Sequence, residues 1–174
     1  MGQDIKFSVK IKEEDLYSYN IFHAYHSSQG IISIILFVLL VAVWILRFTT
    51  LSIAYRVLYP IVAVIFLLYI PLTLRARVKV QMKQDVFMYP LTYELKEDGL
   101  WISSQTADEP AELPWEYIYK IATWKGYLLI YSNRVNAYII PIKDIQSEYS
   151  NIIDFIKLHV EDYKLQIKYE NNRN

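Results

Sequence analysis

The sequence contains no cysteine and only four glycines. Without thiols the chain can form neither disulfides nor zinc–thiolate sites, and it has no cysteine nucleophile. The scarcity of glycine excludes the glycine-rich loops that hold phosphates in nucleotide-binding proteins. Basic and acidic residues both number 18, so no excess of charge points to nucleic acid. Apolar residues are therefore the strongest signal in the chain.

Two long segments carry no charge at all. Residues 31–46 run from Ile31 to Leu46, and residues 57–74 run from Val57 to Leu74. A lipid hydrocarbon core of about 30 Å requires roughly 20 helical residues, within a range of about 17–25. The alternative is a pair of helices buried in a soluble core, but such helices usually keep a polar stripe. The pattern predicts a transmembrane helical hairpin whose loop is residues 47–56.

Basic residues flank both segments, and we expect them to lie at the membrane interface. Three follow the second segment closely, and two lie in the loop between the segments. Cytoplasmic flanks are enriched in lysine and arginine, so this bias predicts that both termini are cytoplasmic. The basic residues concerned are Arg47, Arg56, Arg75, Arg77 and Lys79.

The residues before the hairpin predict one strand and one helix. Residues 5–11 alternate between apolar and polar, which is typical of a half-buried strand. A helix is predicted over residues 13–27, opened by three acids and ending before Gly30. His23 and His26 are three residues apart on it, but no third ligand is evident nearby, so no metal site is predicted. We hypothesise that the strand joins an edge of the sheet that follows the hairpin.

The residues after the hairpin predict an antiparallel sheet and one helix. Strands are predicted over residues 91–96, 100–104, 113–123, 127–131 and 137–140. Asp98-Gly99 predicts a turn in which the glycine takes a positive φ. Residues 147–163 predict an amphipathic helix, and the residues after Leu165 a polar tail. Consecutive antiparallel strands capped by one helix match a pleckstrin-homology-like (PH-like) domain.

The predicted fold class is thus a membrane α+β protein. It combines a two-helix transmembrane hairpin with a PH-like antiparallel sheet capped by a C-terminal amphipathic helix. The predicted divisions are residues 1–29, holding the N-terminal strand and helix, residues 30–74, holding the hairpin, and residues 75–174, holding a cytoplasmic domain.

Short motifs occur in both halves of the chain. They are Phe7-Ser8-Val9, Glu14-Asp15-Leu16, Asn20, Tyr93-Glu94-Leu95, Asp98-Gly99-Leu100, Leu113-Pro114-Trp115, Ile118, Lys120-Ile121 and Ala137–Pro141. With these motifs the chain resembles YcxB-like bacterial membrane proteins. This resemblance implies an inner-membrane protein with a PH-like cytoplasmic domain, and it supplies no catalytic residues.

Three functions compete at this point. The first is a membrane-anchored binding or scaffold module without catalysis or cofactors, whose partners are the lipid bilayer and either a protein or a second copy of the chain. The second is immunity or self-protection against a membrane-active peptide or toxin. The third is an enzyme, which is disfavoured because no convergent set of nucleophile, base and orienting group is recognisable.

Overall fold

The computed structural model describes residues 4–167, and the chain divides into two compact units. The sheet unit consists of the residues up to Asp15 together with those from Gln81 onward. The hairpin unit is Leu16–Val80. These boundaries differ from the predicted ones, because the helix before the hairpin groups with the apolar helices and the second apolar helix continues beyond Leu74.

The secondary-structure elements follow one another as two groups of strands separated by helices. In chain order they are β1 (Ile5–Val9), α1 (Glu13–His26), α2 (Ser28–Leu46), α3 (Ile53–Gln81), α4 (Asp85–Met88), β2 (Leu91–Leu95), β3 (Gly99–Ser103), β4 (Ala111–Pro114), β5 (Lys120–Trp124), β6 (Tyr127–Tyr131), β7 (Ala137–Pro141), α5 (Tyr149–His159) and β8 (Leu165–Gln166). The predicted architecture is confirmed: two long apolar helices precede an antiparallel sheet domain and a C-terminal helix.

The first sheet of the sheet unit has the order β1-β2-β3-β4, so β1 lies beside a strand that comes after both apolar helices. The register pairs Phe7 with Tyr93, and their rings stack with centroids 5.4 Å apart. Phe7 and Val9 are buried, as alternation along a half-buried strand requires. Burial raises the pKa of the Tyr93 hydroxyl, and the neighbouring Tyr138 raises it further. β1 and β2, which are separated in the sequence by both apolar helices, thus belong to one sheet.

An ion pair joins β1 to β2 on the opposite face. The Lys6 ammonium lies 2.6 Å from a carboxylate oxygen of Glu94, its partner in the register. The hydrogen bond from Lys6 is the main cause that lowers the pKa of Glu94. Because the folded pKa is the lower one, this contribution to stability is present above the ordinary carboxyl pKa and is lost as the pH falls through the lowered value.

The second sheet has the order β7-β6-β5-β8 and corrects two predictions. The predicted strand over residues 113–123 is interrupted by the 3₁₀ turn Trp115–Tyr117, which separates β4 from β5. The Trp115 indole N–H donates to the Lys96 carbonyl at 2.9 Å, which holds the turn in place. The polar tail predicted after Leu165 begins instead inside β8, where Leu165 pairs with Ile121 and Gln166 with Ala122 in a parallel register. Residues 168–174 of that predicted tail lie outside the described residues.

Two turns show different uses of glycine. Gly99 does not have a positive φ, contrary to the prediction. Its missing side chain instead allows close approach of the backbone, because a Cβ there would lie 2.7 Å from the Leu113 carbonyl oxygen. Between β5 and β6, Lys125 has φ 44° and Gly126 has φ 80°. Two consecutive positive φ values suit a two-residue β-hairpin.

Helix α5 covers the core with one face. Ile152, Ile153 and Ile156 are buried, whereas Asp154 and Lys157 lie on the outer face. The predicted helix over residues 147–163 is therefore correct in type but ends earlier, at His159. The sheet unit thus has a continuous apolar core formed by strands and one helix.

A buried carboxylate fixes the exit from β1. Asp15 is 2% exposed and accepts hydrogen bonds from the Lys12 backbone N–H and from the Tyr127 hydroxyl, each at 2.9 Å. The Lys143 ammonium lies 3.8 Å away. Because Lys12 immediately precedes α1, the bond from its N–H also caps that helix.

Candidate membrane interface

The helices α2 and α3 carry large apolar side chains on their surface. Ile31 is 50% exposed, Leu46 80% and Val57 55%. Among the described residues of these helices, only Gly30, Ala63 and Val78 are buried. Helices with this much exposed apolar surface are not buried in the core of a soluble protein. Both helices are long and apolar enough to cross a membrane.

The loop between α2 and α3 is closed by Arg56. Its guanidinium donates from Nε to the Leu51 carbonyl at 3.0 Å and from Nη2 to the Thr49 carbonyl at 3.2 Å. It also lies over the Phe48 ring, 4.9 Å from the centroid. These contacts satisfy loop carbonyls that would be costly to leave unpaired near lipid. Arg56, predicted as an interface residue, is thus bound to the carbonyls of its own loop. Arg47, predicted likewise, is exposed at the same end of the hairpin unit.

A proline in α3 is matched by a tryptophan in α2. Pro60 lies inside α3, which begins at Ile53, so its missing N–H leaves one helical carbonyl without a donor. The carbonyl left without its helical donor is that of Arg56, four residues earlier. The Trp44 indole N–H donates to this carbonyl oxygen at 2.8 Å. Trp44 therefore supplies from the neighbouring helix the hydrogen bond that Pro60 cannot make.

This pairing makes a prediction for detergent-solubilised protein. Trp44→Phe should lower the free energy of unfolding by about 1–2 kcal/mol, because the Arg56 carbonyl then has no donor. Pro60→Ala restores a backbone N–H, so the same tryptophan substitution should cost clearly less in that background. A double-mutant cycle measured by thermal unfolding checks the coupling. Equal losses in both backgrounds would contradict the assignment.

The other end of the hairpin unit contains a cavity, which we call the polar notch. Its volume is about 430 Å³. Gly30, Ser33 and Thr73 are buried or partly buried along it, whereas Gln29 and Arg77 are exposed. The full lining is Ala24, Ser27, Gln29, Gly30, Ser33, Phe66, Tyr69, Ile70, Thr73, Leu74 and Arg77. The notch lies beside the bend between α1 and α2, where Ser27 caps α2 by accepting from the Gly30 N–H.

The predicted basic residues are divided between the two ends of the hairpin unit. Arg75, Arg77 and Lys79 are exposed on α3 beyond Leu74, and of these only Arg77 lines the notch. The polar lining was missed in the sequence, although Tyr69, Thr73 and Arg77 follow one another at intervals of four and so share one helix face.

The two histidines considered as a metal pair have other contacts. The His26 ring nitrogen Nδ1 lies 2.7 Å from the Phe22 carbonyl oxygen, and the His23 ring packs on Tyr19 with centroids 4.5 Å apart. Within residues 4–167, no three acidic or histidine side chains come together as metal ligands would.

Together these features define an α+β protein in which two exposed apolar helices are inserted between the first and second strands of a sheet. Residues 95–153, from the end of β2 into α5, match the family described as YcxB-like protein. This match confirms the resemblance predicted from the motifs. Comparison with curated proteins finds no match, and comparison with solved structures finds none either.

Proposed function

We propose that the chain is a non-catalytic binding module anchored in a bacterial inner membrane, with its sheet unit in the cytoplasm. One observation carries this proposal: two exposed apolar helices lie in the sequence between β1 and β2, which pair with each other in the sheet unit. In lipid, the exposed side chains of α2 and α3 are solvated favourably, and the helical backbone satisfies its own hydrogen bonds.

The pairing of β1 with β2 supports the proposal that both ends of the hairpin unit lie on the same side of the membrane. The two strands are paired from Ile5 with Leu95 to Val9 with Leu91, so both must lie in one compartment. An even number of membrane crossings follows. The exposed cations Arg75, Arg77 and Lys79 favour the cytoplasm for that compartment. They outnumber the cations exposed at the opposite end, where Arg47 is exposed but Arg56 is engaged by its own loop.

The edges of the sheets support protein binding. Within the described residues, β4 pairs with β3 alone and β7 with β6 alone, so each has a free outer edge. A free edge can accept an extended segment of a partner as an additional strand. Lipid-headgroup binding by the β2–β3 turn is disfavoured, because Glu97 and Asp98 are acidic and the Lys96 ammonium lies 3.4 Å from Glu94.

Cysteine labelling tests the anchoring and orientation, because the natural chain has no cysteine and gives no background. We expect Thr50→Cys, in the α2–α3 loop, to react with a membrane-impermeant maleimide added to intact cells. Asn133→Cys, between β6 and β7, should react only after the cells are permeabilised. Both variants should stay in the membrane pellet after alkaline carbonate extraction. Release into the soluble fraction, or the reverse labelling pattern, would overturn this part of the proposal.

Site-specific crosslinking tests the binding role. A photoreactive phenylalanine analogue placed at Ala111, on the free edge of β4, should give a discrete crosslinked protein in whole cells. The same analogue at Asp154, on the exposed face of α5, is the matched control and should not give that product. If Ala111 yields no product, or the two positions give identical products, binding at this edge is refuted.

A further inference from the structure

We propose that the polar notch binds the phosphodiester headgroup of an anionic phospholipid. This inference rests on the proposed membrane insertion, which would bring the notch to the level of the headgroups on the cytoplasmic side.

The charge of the notch favours an anion. Arg77 is the one charged residue in its lining, and the lining contains no carboxylate. Among the described residues, Arg77 makes no ion pair with an acidic side chain. A guanidinium presents several N–H donors in a planar fork that matches phosphate oxygens. Basic pockets between membrane helices on the cytoplasmic side suit lipid headgroups for the same reason.

The hydrogen-bond donors of the notch fall into two sets. Three hydroxyls already donate to backbone carbonyls: Ser27 to Ala24 at 2.6 Å, Ser33 to Phe66 at 3.2 Å and Thr73 to Tyr69 at 2.7 Å. These bonds fix the three hydroxyls along the lining of the notch. The side-chain donors of Gln29, Tyr69 and Arg77 have no hydrogen-bond partner among residues 4–167 and line the same cavity. They remain available for an acceptor, and phosphate oxygens are strong acceptors.

The apolar part of the lining favours a lipid over a free phosphate ion. Phe66, Ile70 and Leu74 line the notch together with the polar residues. A phosphodiester attached to glycerol and acyl chains can place its charge near Arg77 and its apolar portion against these side chains. A volume of about 430 Å³ lies within the usual range for small-molecule sites, which is about 300–1,000 Å³.

Native mass spectrometry of the full-length protein in detergent tests the proposal. The protein is titrated with phosphatidylglycerol, with phosphatidylcholine, and with inorganic phosphate. We expect phosphatidylglycerol to bind at least about tenfold more tightly than phosphatidylcholine, because choline adds a positive charge beside Arg77. Arg77→Gln should weaken phosphatidylglycerol binding by about tenfold, corresponding to the loss of a charged hydrogen bond. Tyr69→Phe, which removes one hydroxyl, should weaken it by a smaller factor.

Arg75→Gln is the matched control, because it removes the same charge from an exposed residue outside the notch. Equal weakening by Arg75→Gln and Arg77→Gln would overturn the site and indicate only general attraction to the basic end of α3. Equal affinity for the two lipids, or tight binding of inorganic phosphate alone, would also overturn it. These failures would leave the anchoring proposal intact if the protein stays in the carbonate-washed membrane, whereas release from that membrane would remove both.

Discussion

Residues 81–174 produced without β1 are expected not to fold. The segment from β1 to Ile11, two residues beyond the strand, buries Phe7, Val9 and Ile11, which are 8%, 1% and 8% exposed in the structure. At about 1.5–3 kcal/mol for each buried apolar side chain, their loss costs roughly 4.5–9 kcal/mol. Small domains are stable by only about 5–15 kcal/mol, so this loss is decisive. Removing β1 also uncovers the edge of β2 and the ring of Tyr93.

Restoring β1 through a linker should restore folding. Residues 4–15 joined to residues 81–167 by about ten glycine and serine residues should give a soluble, folded sheet unit. Dispersed amide signals in a ¹H–¹⁵N spectrum and a cooperative thermal transition are the measurements. Val9→Asp in this linked chain is the control and should abolish both, because it places a charge at a buried position of β1. A cooperative transition at the same Tm with and without β1 would show that the strand is dispensable.

Gly30→Ala is expected to disrupt the bend between α1 and α2. A Cβ at this position would lie 2.1 Å from the Ala24 carbonyl oxygen and 2.7 Å from the Tyr25 Cα. Both are backbone atoms, so the overlap can be relieved only by moving the helices. Overpacking of this kind typically costs about 1–3 kcal/mol. Because the overlap is with rigid backbone, we expect the cost of Gly30→Ala to lie at or above the upper end of that range. We therefore expect a fall in Tm of roughly 6–12 °C for the full-length protein in detergent.

The same substitution at Gly126 is the matched control. A Cβ there would meet nothing within 4 Å, so only its φ of 80° opposes a side chain. Gly126→Ala should therefore cost about 1–2 kcal/mol through backbone strain alone. A Tm for Gly30→Ala equal to or above that of Gly126→Ala would mean that the overlap at Gly30 is relieved at little cost, and would contradict this prediction. Gly30→Ala should also reduce lipid retention in the notch, which Gly126→Ala should leave unchanged.

The apolar helices were predictable because membrane solvation depends on local composition. A run without charge from Ile31 to Leu46 is sufficient to identify a helix that suits lipid. The ends of these helices were harder to predict from the sequence, since α3 continues through Arg75, Arg77 and Lys79 to Gln81. Lysine and arginine are good helix formers, so a change from apolar to basic residues does not end a helix.

The strands were predictable in type but less so in extent. Alternation along residues 5–11 identified the buried face of β1, whereas its register against β2 depends on residues far away in sequence. The break at Trp115 depends on its hydrogen bond to the Lys96 carbonyl, which local periodicity cannot reveal. The notch could be predicted only in part. Its α3 side repeats every four residues, but Gln29 and Gly30 reach it through the bend at Ser27.

The interleaved order of strands and helices also has a consequence for biosynthesis. β1 leaves the ribosome first, but its partner β2 emerges only after the stretch between Val9 and Leu91 has been made. At about 5–20 residues per second, that delay is roughly 4–16 s. During it, the nascent chain must keep an unpaired apolar strand from aggregating. The sheet unit can mature only after β2 has been made, so a chain that stalls before β2 keeps its first strand exposed to quality-control proteases.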